Sequence, residues 1–179
     1  NNRHFNPVNY KGLNTAAVLG FTNTLVEVLQ NEKPSHIAVV FDAPSKTVRH
    51  EVFTEYKANR EEMPEDIRSA IPYIKDIIEA FNIPIILLDG YEADDLIGTM
   101  AKTAENHGFT TYMMTPDKDY GQLVSEHTFM YKPARQGNGA EIWGIPEVCE
   151  KFEISDPQQV IDILGMWGDA VDNIPGIPG

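Results

Sequence analysis

Short apolar runs alternate with stretches of helical periodicity along most of this chain. Apolar runs of strand length lie at 37–41, 85–88 and 111–114, with a weaker fourth at 129–131. Continuous apolar strands of this kind are typical of parallel sheets covered on both faces. Predicted helices, with apolar residues spaced by three and four, lie at 15–30, 64–81, 92–104, 146–152 and 157–167. The alternation predicts an α/β fold with a mostly parallel central sheet flanked by helices.

Prolines and capping residues mark the boundaries of these helices. Three of the predicted helices begin with proline, which fits the first helical position because its N–H is not needed there. Asn14 or Thr15 supplies the N-cap of the first helix. Pro72 instead lies inside the apolar stripe of the helix at 64–81, so we expect a kink or a break there.

Acidic residues recur where core elements end. In chain order they are Asp42 after the first strand, Glu92, Asp94 and Asp95 after the second, Asp117 and Asp119 after the third, and Asp169 and Asp172 after the last helix. Active sites of open α/β sheets gather at the carboxyl ends of the strands. The first three groups are therefore predicted to meet at one edge, and the fourth could join them.

The charge of the chain makes this pattern specific. The net charge is −13, and eight of the 27 acidic residues belong to these groups. Eight carboxylates in one cleft would repel each other and raise each other's pKa values. Two or more Mg²⁺ or Mn²⁺ ions, which prefer oxygen ligands, would relieve this and support phosphodiester cleavage by a water nucleophile. Taken singly, the group at 92–95 could equally be helix-end residues, and Asp117 and Asp119 are more readily explained as turn residues.

The segment at 43–63 is polar and mixed in charge. It carries Arg49, Lys57 and Arg60, with Tyr56 among them. In a helix, Arg60 shares one surface with Tyr56 and with Lys57. Cations bind phosphate, and an unpaired base can stack on an aromatic ring. Composition alone favours a solvated helix face, but beside a metal cluster that needs an anionic substrate a nucleic-acid contact is favoured.

Composition excludes several other classes of protein. No apolar run approaches the roughly 20 residues of a membrane span, so no membrane association is expected. A lone Cys149 excludes a disulfide within the chain and a cysteine-based zinc site, and it fits a reducing, cytoplasmic setting. The acidic balance by itself argues against nucleic acid as a ligand.

Six motifs together resemble the 5′→3′ exonuclease domain of bacterial DNA polymerases I, in the flap-endonuclease (PIN-like) superfamily. They are Val-Phe-Asp-Ala at 40–43, Val-Arg-His-Glu at 48–51, Glu-Tyr-Lys-Ala-Asn-Arg at 55–60, Gly-Tyr-Glu-Ala-Asp-Asp at 90–95, Thr-Pro-Asp-Lys-Asp at 115–119 and Gly-Asp-Ala-Val-Asp-Asn-Ile-Pro-Gly at 168–176. The resemblance implies a PIN-like fold and a nuclease of replication and repair that acts on DNA at 5′ flaps, nicks and 5′ ends. It also implies polymerase domains in the same natural chain and a bacterial, cytoplasmic, nucleoid-associated protein.

The resemblance also assigns roles to residues. The eight carboxylates would hold two or more Mg²⁺ or Mn²⁺ ions, directly or through water. Lys57 and Arg60 would be catalytic, contacting the scissile phosphate from a helical arch. Arg49 and Tyr56 would help to engage the DNA strand, and the segment at 43–63 would become ordered when DNA is present.

The ends of the chain depart from the family pattern. The first ten residues read as a surface loop, and the family's opening strand, with its aspartate ligand, is missing. Residues 1–168 are predicted to form the catalytic domain, and 169–179 the start of a truncated helix-hairpin-helix-type DNA-binding region. We therefore expect this polypeptide alone to be a weak or inactive nuclease.

Three alternatives remain open at this point. A stand-alone exonuclease of the same superfamily would carry the same motifs without a polymerase. A PIN-type ribonuclease would hydrolyse RNA with no preference for a 5′ flap. A DNA-binding scaffold, or a catalytically incompetent fragment, would keep the acidic pocket without turnover.

Overall fold

The computed structural model describes residues 14–133 and 139–178, so the loop predicted at 1–10 lies outside the described residues. The helices are α1 (Ala16–Asn31), α2 (Val48–Val52), α3 (Glu65–Ala80), α4 (Ala93–Asn106), α5 (Ile145–Phe152) and α6 (Val160–Trp167). The strands are β1 (Val39–Val40), β2 (Ile85–Ile86), β3 (Thr111–Met114), β4 (Thr128–Lys132) and β5 (Glu141–Trp143). Short 3-10 helices span Lys118–Leu123 and Pro157–Gln159.

The chain divides into two compact units, and each unit is built from two separate stretches. The first unit comprises Asn1–Phe41 and Glu61–Ile86, and the second comprises Asp42–Arg60 and Leu87–Gly179. Every acidic and basic residue that the sequence predicts for the functional site belongs to the second unit. The candidate site can therefore be described within that unit alone.

The first unit packs α1 and α3 against a parallel pair of strands. In this pair β1 lies beside β2, with Val39 opposite Ile85. Leu25, Ile78 and Ile83 form the buried core, and apolar residues of both helices and both strands pack around it. Removal of this apolar surface from water is the main stabilising contribution to the unit.

The break expected at Pro72 does not occur. The helix α3 runs without interruption from Glu65 to Ala80, with Pro72 inside it. A proline removes one helical hydrogen bond, and its ring also crowds the carbonyl four residues earlier. The buried face of α3, which includes Ala70 and Ile78, supplies the packing that offsets this loss.

The second unit contains a three-stranded sheet in the order β3–β4–β5. β3 and β4 are parallel, and β4 and β5 are antiparallel. The core beneath the sheet is formed by eight buried residues, which are Ala101, Met113, Tyr120, Val124, Met130, Val148, Phe152 and Val160. They come from helices, strands and loops between 101 and 160, so the core ties most of this unit together.

The α/β class and the mostly parallel pairing predicted from the sequence are confirmed. Two of the three strand pairs are parallel, but the strands form two small sheets where one central sheet was expected. The sequence pattern did not reveal α2 or β5, which are five and three residues long. Among the described residues, no helix is long and apolar enough to cross a membrane.

A tight turn follows α6 and brings the end of that helix against Gly176. The backbone of Asp169 exchanges two hydrogen bonds with Ile174, and the N–H of Ile177 donates to the carbonyl of Met166 at 2.8 Å. A Cβ at Gly176 would lie closer to the Trp167 carbonyl oxygen than the van der Waals contact distance allows. Glycine is therefore required there by the close approach of two backbones.

We expect Gly176→Ala to lower the free energy of unfolding by about 2–3 kcal/mol, because the backbone must move to admit the methyl group. The matched control is Gly20→Ala in α1, where a Cβ would meet no atom within 4 Å. That control should be more stable than wild type by about 0.5–1 kcal/mol, since alanine favours the helix. Urea unfolding followed by circular dichroism measures both, and equal effects of the two substitutions would contradict this account of the turn.

Candidate active site

One open pocket of about 360 Å³ in the second unit gathers most of the predicted site residues. Its lining consists of Asp42, Lys57, Arg60, Glu92, Ala93, Asp94, Asp117, Lys118, Asp119, Tyr120, Asp169, Val171 and Asp172. Seven of the eight predicted carboxylates are in this set, and they come from all four acidic groups. Asp95, Arg49 and Tyr56 are not in the lining, but each contacts a residue of it.

The N-terminus of α4 organises the first part of the pocket. Glu92 is the N-cap residue, and its N–H donates to Asp95 Oδ2 at 3.1 Å. The next backbone N–H, that of Ala93, donates to Asp42 Oδ1 at 2.7 Å. The otherwise unpaired N–H groups of the helix end thus hold carboxylates in place, as expected for a positive helix terminus.

Arg49 binds the same helix end through its guanidinium group. Its two terminal nitrogens each donate to one oxygen of Asp95 at 2.8 Å, which is a bidentate pair. Arg49 also lies 3.6 Å from Glu92 Oε2 and 3.9 Å from Asp94 Oδ1. The hydrogen bonds with Arg49 lower the pKa of Asp95, and the same bonds raise the pKa of Arg49. Partial desolvation raises the pKa of Asp94 despite the nearby Arg49.

Tyr56 is buried, with only 6% of its surface exposed. Its hydroxyl lies 3.1 Å from Glu92 Oε2 and 3.2 Å from Asp172 Oδ2, and it can donate to either. Burial, followed by the charges of these two carboxylates, raises the pKa of Tyr56, so the phenol stays a proton donor. The sequence led us to expect a ring open to an unpaired base; in this structure the ring is covered instead.

Lys57 and Arg60 extend into the pocket from the same segment. Lys57 Nζ lies 2.9 Å from Glu92 Oε1 and 3.9 Å from Asp172 Oδ2, and its side chain is only 17% exposed. Arg60 lies 3.7 Å from Asp172 Oδ1, and its side chain is half-exposed. The two predicted phosphate-binding cations are therefore both paired with carboxylates of the pocket.

Asp117 and Asp119 lie where β3 gives way to a 3-10 helix. Asp117 is the N-cap of that helix, and its Oδ1 accepts from the N–H of Asp119 at 3.0 Å. Burial raises the pKa of Asp119, and the charge of Asp117 adds to the effect. Asp119 Oδ1 is buried and has no hydrogen-bond partner.

Asp169 and Asp172 lie in the turn that follows α6. Asp169 Oδ1 accepts from the N–H of Val171 at 2.8 Å and from the N–H of Asp172 at 3.3 Å. Asp172 Oδ1 is a second buried carboxylate oxygen without a hydrogen-bond partner. The tight turn thus delivers two carboxylates to the pocket from a point far along the chain.

The donor set fits hard divalent cations, although the present arrangement is held by protein cations. Within 14–133 and 139–178, no group of three or more His, Cys, Asp or Glu side chains is arranged so that it could hold a metal ion. Lys57, Arg60 and Arg49 pair with four of the eight predicted carboxylates. Asp119 Oδ1 is buried with no hydrogen-bond partner and calls for a cation or a donor, whereas Asp172 Oδ1 has only the ion pair with Arg60.

Two further pocket residues were not singled out from the sequence. Lys118 lies between Asp117 and Asp119, which the sequence analysis did identify. Its side-chain nitrogen lies 5.9 Å from the ring centroid of Trp167. Tyr120 is buried at the pocket wall, and desolvation, reinforced by the nearby carboxylates, raises its pKa. The spacing after Asp117 could have suggested Lys118, whereas nothing in the periodicity indicates a buried tyrosine at 120.

Comparison with known proteins identifies the family of this chain. Residues 2–153 match the family described as 5′-3′ exonuclease, N-terminal resolvase-like domain. The chain belongs to this family.

Relatives of this domain differ in the length of the whole protein. The chain is 41% identical over 171 residues to DNA polymerase I of Bacillus subtilis (strain 168), covering 96% of this chain and 19% of that protein. It is 40% identical over 169 residues to the 5′-3′ exonuclease of Aquifex aeolicus (strain VF5), covering 94% of this chain and 57% of that protein. It thus spans about a fifth of the polymerase and little more than half of the exonuclease.

A solved structure shares the fold. A bacteriophage T5 flap endonuclease in complex with DNA and metal ions superimposes with a TM-score of 0.72 at 22% identity, covering 91% of this chain and 62% of that one. This similarity confirms the PIN-like flap-nuclease fold.

We expect Asp95→Asn to lower the free energy of unfolding at pH 7 by about 1 kcal/mol. The amide can still accept from the N–H of Glu92, but it loses the charge that binds Arg49, and the pair is partly screened by solvent. Because the folded-state pKa of Asp95 is lowered, its contribution is present above the ordinary value of 3.8 and is lost as pH falls through the folded-state pKa.

Urea unfolding of the metal-free chain between pH 7 and pH 3 measures this difference. The control is Asp162→Asn, at an exposed position in the first turn of α6. A difference between wild type and Asp95→Asn that persists undiminished at the acid end would rule out the ion pair as its origin.

Proposed function

We propose that this domain hydrolyses phosphodiester bonds of DNA at 5′ ends, nicks and 5′ flaps with the help of divalent metal ions. The observation that carries the proposal is the convergence of seven carboxylates from four separate stretches on one pocket that also contains Lys57 and Arg60. A pocket rich in oxygen ligands suits hard cations, and side-chain cations beside it suit a phosphate substrate.

The relatives support this proposal. The Aquifex aeolicus protein is named as a 5′-3′ exonuclease, and the T5 flap endonuclease was solved with DNA and metal ions. The motif that carries Glu92, Asp94 and Asp95, and the motif that carries Asp169 and Asp172, contribute most of the pocket carboxylates. The proposal that DNA is the substrate, with a preference for 5′ structures, rests on the similarity to the Aquifex aeolicus and T5 proteins.

The pocket carboxylates would hold the metal ions, with Asp95 acting from outside through Arg49 and the helix end. In proteins of this chemistry, two divalent ions supply a more acidic water as nucleophile and stabilise the charge on the attacking and leaving oxygens. Mg²⁺ or Mn²⁺ is proposed because every donor is a carboxylate oxygen, and no soft ligand is among the pocket residues.

Lys57 and Arg60 would bind the phosphate that is cut. In the structure Lys57 pairs with Glu92 and Arg60 pairs with Asp172. If those carboxylates held metal ions, Lys57 and Arg60 would be free to pair with phosphate oxygens. Guanidinium groups bind phosphate in a bidentate manner, and an ammonium group acts as a compact charge.

Arg49 and Tyr56 would still affect DNA binding, but indirectly, through the pocket residues that they contact. Arg49 fixes the N-terminus of α4, where Glu92 begins the helix. The hydroxyl of Tyr56 bridges Glu92 and Asp172, so it sets the separation of two proposed ligands. Both side chains would therefore influence DNA binding by positioning the groups that contact it.

The setting of the domain in a larger protein is part of the same proposal. The identity to DNA polymerase I of Bacillus subtilis supports a natural chain that also carries polymerase domains and works in bacterial replication and repair, at the nucleoid in the cytoplasm. The similar identity to the Aquifex aeolicus exonuclease supports a stand-alone enzyme equally well. Residues 1–168 would form the catalytic domain, and 169–179 would begin a DNA-binding region.

A second candidate function is DNA binding without turnover. The ion pairs of Lys57, Arg60 and Arg49 favour it, because protein cations already compensate Glu92, Asp94, Asp95 and Asp172. Such a protein would bind 5′-flap DNA but show no saturable heat with Mg²⁺ or Mn²⁺. Calorimetry and cleavage assays therefore separate the two functions.

We expect wild type to cleave a 5′-flap oligonucleotide in Mn²⁺ with enzyme in excess, and Asp119→Asn to be slower by at least 100-fold. The substitution keeps the shape of the side chain but removes a pocket charge that has an unpartnered buried oxygen. Calorimetry should show a weaker or absent saturable heat for the variant. Asp162→Asn is the control and should match wild type in both assays; cleavage by Asp119→Asn at the wild-type rate would refute the metal site.

Lys57→Met should separate metal binding from cleavage. Removing the ammonium group frees Glu92 Oε1, so Mn²⁺ affinity is expected to rise about 2- to 10-fold, because a competing cation is gone. Cleavage should nevertheless fall by at least 100-fold, since the phosphate loses its contact. Lys102→Met, on the exposed face of α4, is the matched control. A parallel loss of metal affinity and cleavage would show that Lys57 supports the metal site itself.

A further inference from the structure

Two asparagines join the cationic segment to the turn that carries Asp169 and Asp172. Asn59 Nδ2 donates to Asn173 Oδ1 at 2.8 Å, and Asn173 Nδ2 donates to the carbonyl of Glu55 at 2.8 Å. The partners are more than 110 positions apart in the sequence. We call this pair of hydrogen bonds the asparagine clasp.

A backbone hydrogen bond completes the junction. The N–H of Lys57 donates to the carbonyl of Asp172 at 3.0 Å, between the two bonds of the clasp. Lys57 and Asn173 both have left-handed backbone conformations, with φ of 57° and 58°. Left-handed conformations are costly for lysine and less so for asparagine. Contacts must therefore hold Lys57 in this conformation, and the clasp lies on both sides of it.

Asparagine is the side chain that meets all the requirements at 173. Its amide donates to the Glu55 carbonyl and accepts from Asn59 at the same time, which a carboxylate cannot do. It also tolerates the left-handed backbone better than other non-glycine residues. Asn173 therefore has a role different from that of its acidic neighbours Asp169 and Asp172.

The clasp fixes the point from which the two catalytic cations extend. Lys57 lies between Glu55 and Asn59, and Arg60 follows directly. A lysine side chain has several rotatable bonds, so the position of its ammonium group depends on a fixed backbone. With the clasp in place, Lys57 Nζ lies 2.9 Å from Glu92, inside the pocket.

We propose that Asn59 and Asn173 are positioning residues that hold Lys57 and Arg60 over the carboxylate pocket during phosphodiester cleavage. The assignment rests on the proposed function, in which these two cations bind the scissile phosphate. Neither asparagine touches the pocket lining directly through its side chain in the hydrogen bonds described, so each acts through the backbone of the cationic segment. Loss of the clasp lowers the fraction of bound complexes with both cations in place, so the chemical step slows more than binding weakens.

The test is a double-mutant cycle based on the rates of single-turnover cleavage of 5′-flap DNA in Mn²⁺. Asn59→Ala removes one hydrogen bond of the clasp, and Asn173→Gly removes both while keeping a residue that accepts the left-handed backbone. Each variant is expected to cleave about 5- to 10-fold more slowly than wild type at saturating protein, with binding changed less than twofold. The double variant should be no more than about twofold slower than the slower single variant, because both remove the same junction.

The cycle with Lys57 separates positioning from a general structural role. In a Lys57→Met background, Asn59→Ala should cost at least threefold less than it does in wild type, because one of the two positioned cations is already gone. Asn106→Ala and Asn82→Gly are the controls; the first is exposed at the end of α4, and the second shares the left-handed backbone at φ 57°. Both should cleave at the wild-type rate.

The outcomes distinguish this assignment from the proposed function itself. Wild type that cleaves no flap DNA even within its full natural chain overturns the proposed function and this assignment with it. Active wild type with an unchanged Asn59→Ala rate overturns the assignment alone. An equal loss of cleavage rate on Asn59→Ala in wild type and in the Lys57→Met variant also overturns it. The asparagines would then only stabilise the fold, and their substitution would lower the melting temperature.

Discussion

Compensation of negative charge in one small volume is the constraint on which the second unit depends. Seven carboxylates share the pocket, and like charges at such distances repel strongly where solvent is partly excluded. The structure meets this with helix N–H groups, a buried tyrosine hydroxyl and three cationic side chains. These donors come from the N-terminus of α4 and from residues 49–60, so both segments are tied to the acidic pocket.

The same constraint explains why the cationic segment is structured in this protein. Seen as a sequence, 43–63 is polar and has no apolar stripe that could bury a helix. It is held instead by polar contacts, chiefly those of Arg49, Tyr56 and Lys57 with the acidic residues. A segment stabilised by charge pairs rather than by apolar burial can exchange its partners at low cost, and exchange of partners is what a phosphate-binding element requires.

Sequence periodicity predicted the parts of the structure that depend on local pattern. The strand at 111–114 and the carboxylates that follow it were found because a buried strand and the end of a strand leave a local signature. The partners of those carboxylates could not be found in this way. The bonds from Tyr56 to Asp172 and from Asn59 to Asn173 join positions over 110 residues apart, and no spacing rule reaches that far. At Pro72 the local pattern predicted a kink or a break, but α3 continues through it because tertiary packing stabilises the helix.

The two-part construction of the second unit has a consequence for how the protein is made. Asp42–Arg60 is synthesised well before the turn at 169–174 that binds it, and a stretch of the first unit comes in between. Arg49 and Lys57 lack their partners Asp95 and Glu92 until 92–95 is made, and Arg60 lacks Asp172 until the turn is made. The site is therefore complete only after the turn at 169–174 has been made, and contacts of such long sequence separation form slowly.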